Sequence, residues 1–245
     1  MNFNFGFATD IGRKRTQNQD SVTVHPELGL FVVADGMGGH RGGETASAMA
    51  VEIVPQVVRQ AQKVASWNPR ETVAHSIRVA NNSIFDRAAH QAQLQGMGTT
   101  LITLLFKDNR LTIGHVGDSR CYFFRSGAVW QATRDHSLVQ EKLRAGLITR
   151  PEVKTDRMKN VITRSVGFEP DVNVEVYEMD VKPGDTFLIC SDGLSGLMDD
   201  DCMLEVVQRK HFVEHDIQSA VKELIQTANQ NGGDDNITTV MVEVI

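Results

Sequence analysis

The sequence predicts an α+β sandwich in which two antiparallel sheets are flanked by helices. Strand-like and helix-like segments occur in separate blocks along the chain. Three short strands are followed by two long helices and a meander of strands, and two helices precede a last strand. The chain has 245 residues, 41% of them hydrophobic, which is enough for a sizeable core in one large domain or two small ones.

The predicted strands are short apolar or alternating runs bounded by polar or glycine-containing turns. Residues 3–9 alternate polar and apolar side chains, and residues 30–34 form an apolar run that is typical of a buried strand. From residue 99 to residue 133, short runs separated by turns indicate an antiparallel meander. Further strands are predicted at residues 21–24, 161–165, 172–179, 186–190 and 237–242.

Two long helices are predicted between the third strand and the meander. The first begins near residue 44, and Pro55 is expected to kink it or to end its first segment. The second begins at Asn68, which can cap the helix, with Pro69 in the first turn and Glu71 in capping-box position. Its apolar stripe at helical spacing predicts packing against a sheet, through Val73, Ile77, Ala80, Ile84 and Ala88. Shorter helices are predicted near residues 201–209 and 216–229.

The composition argues against several classes of protein. A net charge of −6 disfavours a nucleic-acid backbone as the main ligand. No apolar run has the length of a membrane span, and the first residues alternate like a strand rather than a signal peptide. The three cysteines, Cys121, Cys190 and Cys202, lack CxxC spacing, so disulfide and zinc frameworks are not expected and a cytoplasmic location is predicted.

Acidic residues occur beside glycine in four turns that are spread along the chain. Three of these turns follow a predicted buried strand, and the fourth precedes one. Carboxylates at strand ends must be solvated, paired or bound to a cation, and several of them at one rim of a sheet would favour hard divalent cations. The turns are Asp35-Gly36, Gly117-Asp118-Ser119, Ser191-Asp192-Gly193 and Gly233-Asp234-Asp235-Asn236.

Other phosphate-handling motifs are incomplete. The glycine-rich residues 36–43 precede a helix and could cradle a phosphate, but they lack the Lys-Ser/Thr of a P-loop and the GxGxxG spacing. No cysteine is followed by arginine six residues later, and the acidic triplet at 199–201 lacks the threonine of an aspartyl-phosphate motif. We interpret that triplet as an acidic turn at the start of a helix.

Seven motifs, in one order along nearly the whole chain, resemble the metal-dependent serine/threonine protein phosphatases (the PPM family, type 2C). The short stand-alone bacterial members are the most similar. Each motif alone is weak, whereas seven in this order and at this spacing are specific. They are Gly12-x-x-Arg15-x-x-Asn18-Gln19-Asp20, Asp35-Gly36-Met37-Gly38-Gly39-His40, Gly96-x-Gly98-Thr99-Thr100, Gly117-Asp118-Ser119-Arg120, Asp135-His136-Ser137, Ser191-Asp192-Gly193-Leu194 and Gly233-x-Asp235-Asn236.

The resemblance implies a role for each matching residue at the metal centre. Asp35 matches the carboxylate that bridges two metal ions, and Gly36 matches the glycine whose carbonyl binds the second ion. The positions of Asp192 and Asp235 match the other direct ligands. Asp20 matches a carboxylate that reaches a metal mainly through water.

Two further residues complete the implied site. Asp118 matches an acidic residue that, together with the Asp192 position, can hold a third metal in bacterial relatives. Arg15 matches the phosphate-binding arginine, whose planar fork suits two phosphate oxygens.

The chain departs from the family pattern at Gln19 and at Met37. Met37 stands where animal relatives carry a histidine thought to protonate the leaving group, and His40 is the nearest candidate for that role or for a substrate contact. Gln19 stands where some relatives have glutamate. We interpret His136 as a structural histidine that leads into the polar, basic insert after residue 137.

The fold and activity that the resemblance implies are specific. Residues 1–245 are expected to form a single four-layer α-β-β-α phosphatase domain with two antiparallel sheets at its centre. The insert at about residues 138–160 is expected to be a flap subdomain. The implied reaction is hydrolysis of phosphoserine or phosphothreonine on proteins by a metal-activated bridging water, with two Mn²⁺ or Mg²⁺ ions and room for a third.

The expected partners follow from that reaction. They are phosphorylated proteins as substrates and a cognate Ser/Thr kinase as antagonist, with no nucleic acid and no membrane, and the chain is expected to be a monomer. Two other functions stay open in the sequence: a catalytically weak phospho-recognition module, and hydrolysis of a small-molecule phosphate. Activity on phosphotyrosine is open as well.

Overall fold

The computed structural model describes the backbone of residues 1–245 and all side chains except those of residues 39–41. Eleven strands form the two sheets. In chain order they are β1 (Phe3–Asp10), β2 (Asp20–His25), β3 (Leu30–Met37), β4 (Gly98–Thr99), β5 (Leu101–Lys107), β6 (Arg110–Val116), β7 (Arg120–Arg125), β8 (Ala128–Gln131), β9 (Glu175–Asp180), β10 (Thr186–Cys190) and β11 (Ile237–Val244).

Seven α-helices lie between the strands. They are α1 (Gly39–Ala61), α2 (Pro69–His90), α3 (Leu138–Arg144), α4 (Arg150–Val153), α5 (Asp192–Ser195), α6 (Asp200–Val207) and α7 (Ile217–Gln230). A π-helical segment, Gln208–Val213, directly follows α6. No helix in the described part of the chain is long and apolar enough to cross a membrane.

Both sheets are antiparallel throughout. One has the order β1-β11-β10-β7-β8, and the other has the order β2-β3-β5-β6-β9, with β4 paired to the last residues of β3. The first and last strands of the chain therefore pair with each other in one sheet, with Phe3 opposite Val244. This closure brings the segment before β11 next to the segment after β1.

Three apolar clusters separate four layers. Phe31 and Val33 of β3 face the other sheet, where Phe187 and Val240 belong to the same buried cluster. The alternate residues of β3, such as Val32, face helices α1 and α2. A third cluster packs α6 and α7 on the sheet that contains β10 and β11. This arrangement confirms the predicted α-β-β-α sandwich, because the period of two in each strand gives every sheet two buried faces.

The helix predictions were right in kind and partly wrong in their limits. Asn68 caps α2, as predicted, by accepting hydrogen bonds from the amides of Arg70 and Glu71. In contrast, α1 begins at Gly39 rather than near residue 44, and it continues through Pro55 to Ala61. Of the two predicted effects of Pro55, an end of the first helical segment was therefore wrong, because the packing of α1 on α2 and β3 outweighs the loss of one backbone hydrogen bond, and a kink stays a prediction.

The strand predicted at residues 161–165 was also wrong. This segment makes an isolated bridge from Ile162 to Ser137, and Val166 beyond it makes another to Thr99. Residues 161 and 163 are exposed, so the segment lacks the buried face that would make a full strand favourable. The strand predicted at 172–179 begins later, at Glu175, and ends at Asp180.

Candidate active site

The four acidic turns meet at one end of the sandwich. Asp20 and Asp35 are direct partners in the pairing of β2 with β3. The hydroxyl of Ser191 donates to the Oδ2 of Asp20 over 2.8 Å, and the Ser191 amide donates to the carbonyl of Thr238 over 3.0 Å. Ser191 follows β10 and is thus bonded to β11 in its own sheet and to β2 in the other sheet. Asp192, which follows Ser191 and begins α5, therefore lies close to Asp20 and Asp35.

Five carboxylates interact electrostatically at this end of the sandwich. Burial, and then the charges of its four neighbours, raise the pKa of Asp35 well above its usual value. Burial also raises the pKa of Asp20 to about 7 and that of Asp118 to about 8, and it raises the pKa of Asp192. Asp235 is the fifth member, since its charge raises the pKa values of Asp20, Asp35 and Asp192.

Without a bound cation, such a cluster of buried carboxylates is energetically unfavourable. Three of its oxygens, the Oδ1 atoms of Asp20, Asp118 and Asp192, are buried without a hydrogen-bond partner among the described residues. A buried polar atom without a partner is costly, and an ionised oxygen is more so. Hard, divalent cations with oxygen ligands would satisfy these atoms and offset the repulsion, so the residues fit Mg²⁺ or Mn²⁺.

Gly36 allows the backbone segments around the cluster to approach closely. A Cβ atom at this position would lie 2.1 Å from the Gly43 carbonyl oxygen and 2.7 Å from that of Gln19. The Gly36 amide donates to the Gln19 carbonyl over 3.1 Å. Only glycine fits between α1 and the chain that precedes β2.

Arg15 lies at the mouth of the cluster. A cavity of about 470 Å³ is lined by Arg15, Asp35, Asp192 and Asp235, together with Met37 and residues 160 and 162 at the end of the insert and just after it. The guanidinium is half exposed and donates to the Oδ2 of Asp235 over 2.6 Å. The predicted phosphate ligand thus lies beside the acidic cluster, and the Asp235 carboxylate is its partner in this arrangement.

Asn236 is a supporting residue to which the sequence reasoning gave no role. Its side-chain oxygen accepts from the Gln19 amide over 2.8 Å, and its amide nitrogen donates to the carbonyls of Ile11 and Gln17. One side chain therefore fixes both ends of the loop that carries Arg15. The Gly233-x-Asp235-Asn236 motif contained the signal, because an asparagine can bridge backbone donors and acceptors at once.

The remaining predicted residues differ in what the structure shows of them. Asp118 and Asp20 are buried and are not among the residues that line the cavity. His136 is buried and hydrogen-bonded, in agreement with the structural interpretation. The side chain of His40 lies outside the described residues, so its role stays a prediction.

Comparisons with known proteins agree with this fold. Residues 11–241 match the family model described as protein phosphatase 2C. The serine/threonine phosphatase Stp of Listeria monocytogenes is 35% identical over 97% of this chain and 94% of its own length. The protein phosphatase PhpP of Streptococcus pneumoniae is 37% identical, over 96% of this chain and 95% of its own.

Solved structures give the same result. The serine/threonine phosphatase PstP/Ppp of Mycobacterium tuberculosis superposes with a TM-score of 0.91 at 31% identity, covering 100% of this chain and 99% of that chain. A structure of the PstP catalytic domain, described as a complex with two manganese ions, has a TM-score of 0.88 at 32% identity and covers 99% and 98% of the two chains.

The four-layer fold and its buried acidic cluster thus define a phosphatase domain. The chain belongs to the protein phosphatase 2C family, which confirms the resemblance drawn from its seven motifs.

The raised pKa values predict an unusual pH dependence for the metal-free protein. Between about pH 5 and pH 8, unfolded aspartates are ionised while the folded Asp20 and Asp118 still bind protons, so the free energy of unfolding is expected to fall as pH rises. Urea unfolding in EDTA at about pH 5 and about pH 8 measures this difference in the free energy of unfolding. The Asp118→Asn variant should show a smaller fall, and stability that rises with pH would contradict the prediction.

Proposed function

We propose that this protein hydrolyses phosphoserine and phosphothreonine on proteins at a binuclear Mn²⁺ or Mg²⁺ centre, and so reverses a Ser/Thr kinase. The observation that carries this proposal is the convergence of five carboxylates, three of which have a buried oxygen without a hydrogen-bond partner among the described residues, beside a cavity lined by Arg15. The serine/threonine phosphatases among the relatives supply the substrate class.

The proposed ligand roles follow the positions of the side chains. Asp35, the residue whose pKa is raised by all four of the others, would be the bridging ligand, and the Gly36 carbonyl, Asp192 and Asp235 would be the other direct ligands. Asp20 would act through water, and Asp118 would hold a third ion with Asp192. When bound, the ions lower the pKa of water held between them and supply positive charge for the phosphoryl oxygens.

The chain's own residues orient the substrate. Arg15 reaches the cavity from an exposed loop, and its planar guanidinium can donate two parallel hydrogen bonds to phosphoryl oxygens. Asn236 fixes the ends of that loop, so the guanidinium is positioned before the substrate arrives. The proposed result is a phosphorus atom held in line with the nucleophile.

The proposed domain is the whole of residues 1–245, with residues 138–160 as the flap. Asn160 and Ile162 line the cavity, which supports a flap whose end lies beside the phosphoryl group of the substrate. Met37 lines it too, where a leaving-group acid would be needed, so His40 remains the proposed candidate for that role or for a substrate contact. We further propose that the protein acts as a monomer.

Hydrolysis of a phosphothreonine peptide tests this function. Turnover is expected with Mn²⁺ and none with excess EDTA. Two neighbouring aspartates give a matched pair: Asp235→Asn should lower turnover at least about 100-fold, because even residues behind a metal ligand cost 10- to 100-fold. Asp234→Asn should leave it near the wild-type value, because Asp234 is exposed and pairs with Lys14.

Three outcomes would contradict the proposal. Tight binding of Mn²⁺ and phosphopeptide without turnover would indicate a recognition module. Faster hydrolysis of small phosphorylated metabolites than of any phosphopeptide would indicate a different substrate class. Turnover that persists in EDTA and in Asp235→Asn would exclude the proposed metal centre.

A further inference from the structure

The turn that carries Asp118 lies between two buried histidines. His115 is next to the last residue of β6, and His136 precedes the flap. Their rings are in contact, with centroids 4.7 Å apart and planes inclined by 34°. Buried titratable side chains in contact are uncommon, and neither ring has a role in the proposed reaction.

The hydrogen bonds of His115 define its protonation. Its Nε2 lies 2.8 Å from the carbonyl oxygen of Ser119, which can only accept, so Nε2 carries the proton and donates. The Nδ1 atom therefore has a free lone pair, and it is buried without a hydrogen-bond partner among the described residues. Burial lowers the pKa of His115 to about 4, which keeps this ring neutral at physiological pH.

His136 holds Gly117 from two directions. Its Nδ1 accepts from the Gly117 amide over 3.0 Å, and its own amide donates to the Gly117 carbonyl over 2.8 Å. An amide can only donate, so Nδ1 carries a lone pair and the proton is on Nε2, which lies 3.3 Å from Glu175 Oε1. The Nη1 of Arg164, which can only donate, lies 3.1 Å from the same Nε2 and 3.2 Å from the Asn173 carbonyl oxygen. A neutral imidazole accepts at one nitrogen only, so we assign the Gly117 N–H to His136 Nδ1 and the Arg164 N–H to the Asn173 carbonyl.

This assignment excludes a metal site that the distances alone would suggest. One ligand atom from each of His115, His136 and Glu175 lies within 4.8 Å of the others. A metal on Nε2 of His136 would need the ring proton on Nδ1, where it would face the Gly117 N–H. The Arg164 guanidinium already supplies a positive charge at this place.

We propose that His115 and His136 are positioning residues: as a neutral pair, they clamp residues 117–119 on both sides and so orient the carboxylate of Asp118. This inference rests on the proposed role of Asp118 as a metal ligand. The turn has little freedom to repack around the clamp, because Gly117 has φ +107° and a Cβ there would lie 2.6 Å from Thr100.

The clamped turn is connected to the centre of the site and to the flap. The hydroxyls of Ser119 and Thr100 are hydrogen-bonded over 2.7 Å, and the Asp35 amide donates to the Thr100 hydroxyl over 3.0 Å. On the other side, the Thr163 amide donates to the His136 carbonyl over 2.8 Å. One hydrogen-bond network therefore joins Asp35, the Asp118 turn and the segment that follows the flap.

Two substitutions of His136 by residues of similar shape to each other, asparagine and leucine, distinguish this role from simple packing. In His136→Asn the side-chain oxygen takes the place of Nδ1 and can still accept from the Gly117 amide, whereas His136→Leu has the same shape and no acceptor. In metal-free protein, we expect hydrogen exchange of the Gly117 amide to accelerate in the Leu variant and to stay near the wild-type rate in the Asn variant. Equal exchange in the two variants would overturn the proposal.

Manganese titration calorimetry then measures the consequence for metal binding. The Leu variant should bind the ion at Asp118 about 10- to 100-fold more weakly, with the other two ions little changed, and the Asn variant should recover most of the loss. Unchanged affinity in the Leu variant would overturn the link to Asp118. If the wild type binds no Mn²⁺, the proposed function is wrong. The hydrogen-exchange experiment on the metal-free protein still tests the clamp in that case.

The wild-type protein provides a test that does not depend on any variant folding. Long-range ¹H–¹⁵N spectra of the imidazoles report which ring nitrogen carries the proton. Both His115 and His136 are expected as the Nε2–H form at pH 7. A proton on Nδ1 of His136 would overturn the clamp.

Discussion

Replacing Asp35 by asparagine is expected to abolish most turnover and, at the same time, to stabilise the metal-free protein. Loss of the bridging carboxylate should lower phosphothreonine hydrolysis at least about 100-fold, more than the loss of a residue behind a ligand. The melting temperature in EDTA should rise, because the pKa of Asp35 is raised by burial and by four neighbouring carboxylates. Asparagine has nearly the same shape and avoids both costs.

Asp234→Asn is the control for this variant. Asp234 lies next to the cluster in sequence, but it is exposed and pairs with Lys14, so both activity and melting temperature should stay close to the wild-type values. A lower melting temperature for metal-free Asp35→Asn would contradict the proposed repulsion. Activity within a few-fold of wild type would remove Asp35 from the metal centre.

Replacing Gly36 by alanine is expected to lower both stability and activity. The added methyl group would lie 2.1 Å from the Gly43 carbonyl oxygen, so either α1 or the chain before β2 must move. Overpacking of this kind typically costs about 1–3 kcal/mol, and backbone atoms yield less easily than side chains. Since Asp20 and Asp35 are neighbours of the displaced backbone, turnover should fall by more than the loss of folded protein explains.

Gly42→Ala, in helix α1, provides the comparison. A Cβ at Gly42 approaches only Met97, at 3.1 Å, so a small adjustment accommodates it. Urea unfolding in the presence of Mn²⁺, together with peptide hydrolysis, distinguishes the two variants. Equal stability of Gly36→Ala and wild type would show that the close backbone contact is not required.

The sequence predicted the layers and the acidic site because both depend on local patterns. An apolar run such as that of β3 identifies a strand with two buried faces, and Asp-Gly turns at strand ends identify carboxylates that cannot enter the core. The order of the motifs indicated the family, and the fold of that family implies that these distant segments meet. Which strands meet was not visible in any single segment, yet the closure of β1 on β11 brings Asp235 to Arg15.

The wrong or missing predictions involve contacts between distant residues. Helix α1 continues through Pro55 because tertiary packing outweighs a local preference. Residues 161–165 have strand-like composition but find no strand to pair with along their length. Similarly, the clamp joins His115 and His136, which are 21 positions apart. Its hydrogen bonds are made to the backbone of Gly117 and Ser119, and side-chain identities alone do not predict such bonds.

The metal centre itself is tested most directly by anomalous diffraction from crystals grown with Mn²⁺. Two manganese peaks are expected on either side of the Asp35 carboxylate, with the Gly36 carbonyl, Asp192 and Asp235 as further ligands, and a weaker third peak at Asp118. An absence of peaks at Asp35, or a peak at His136 and Glu175 instead, would contradict the proposed centre.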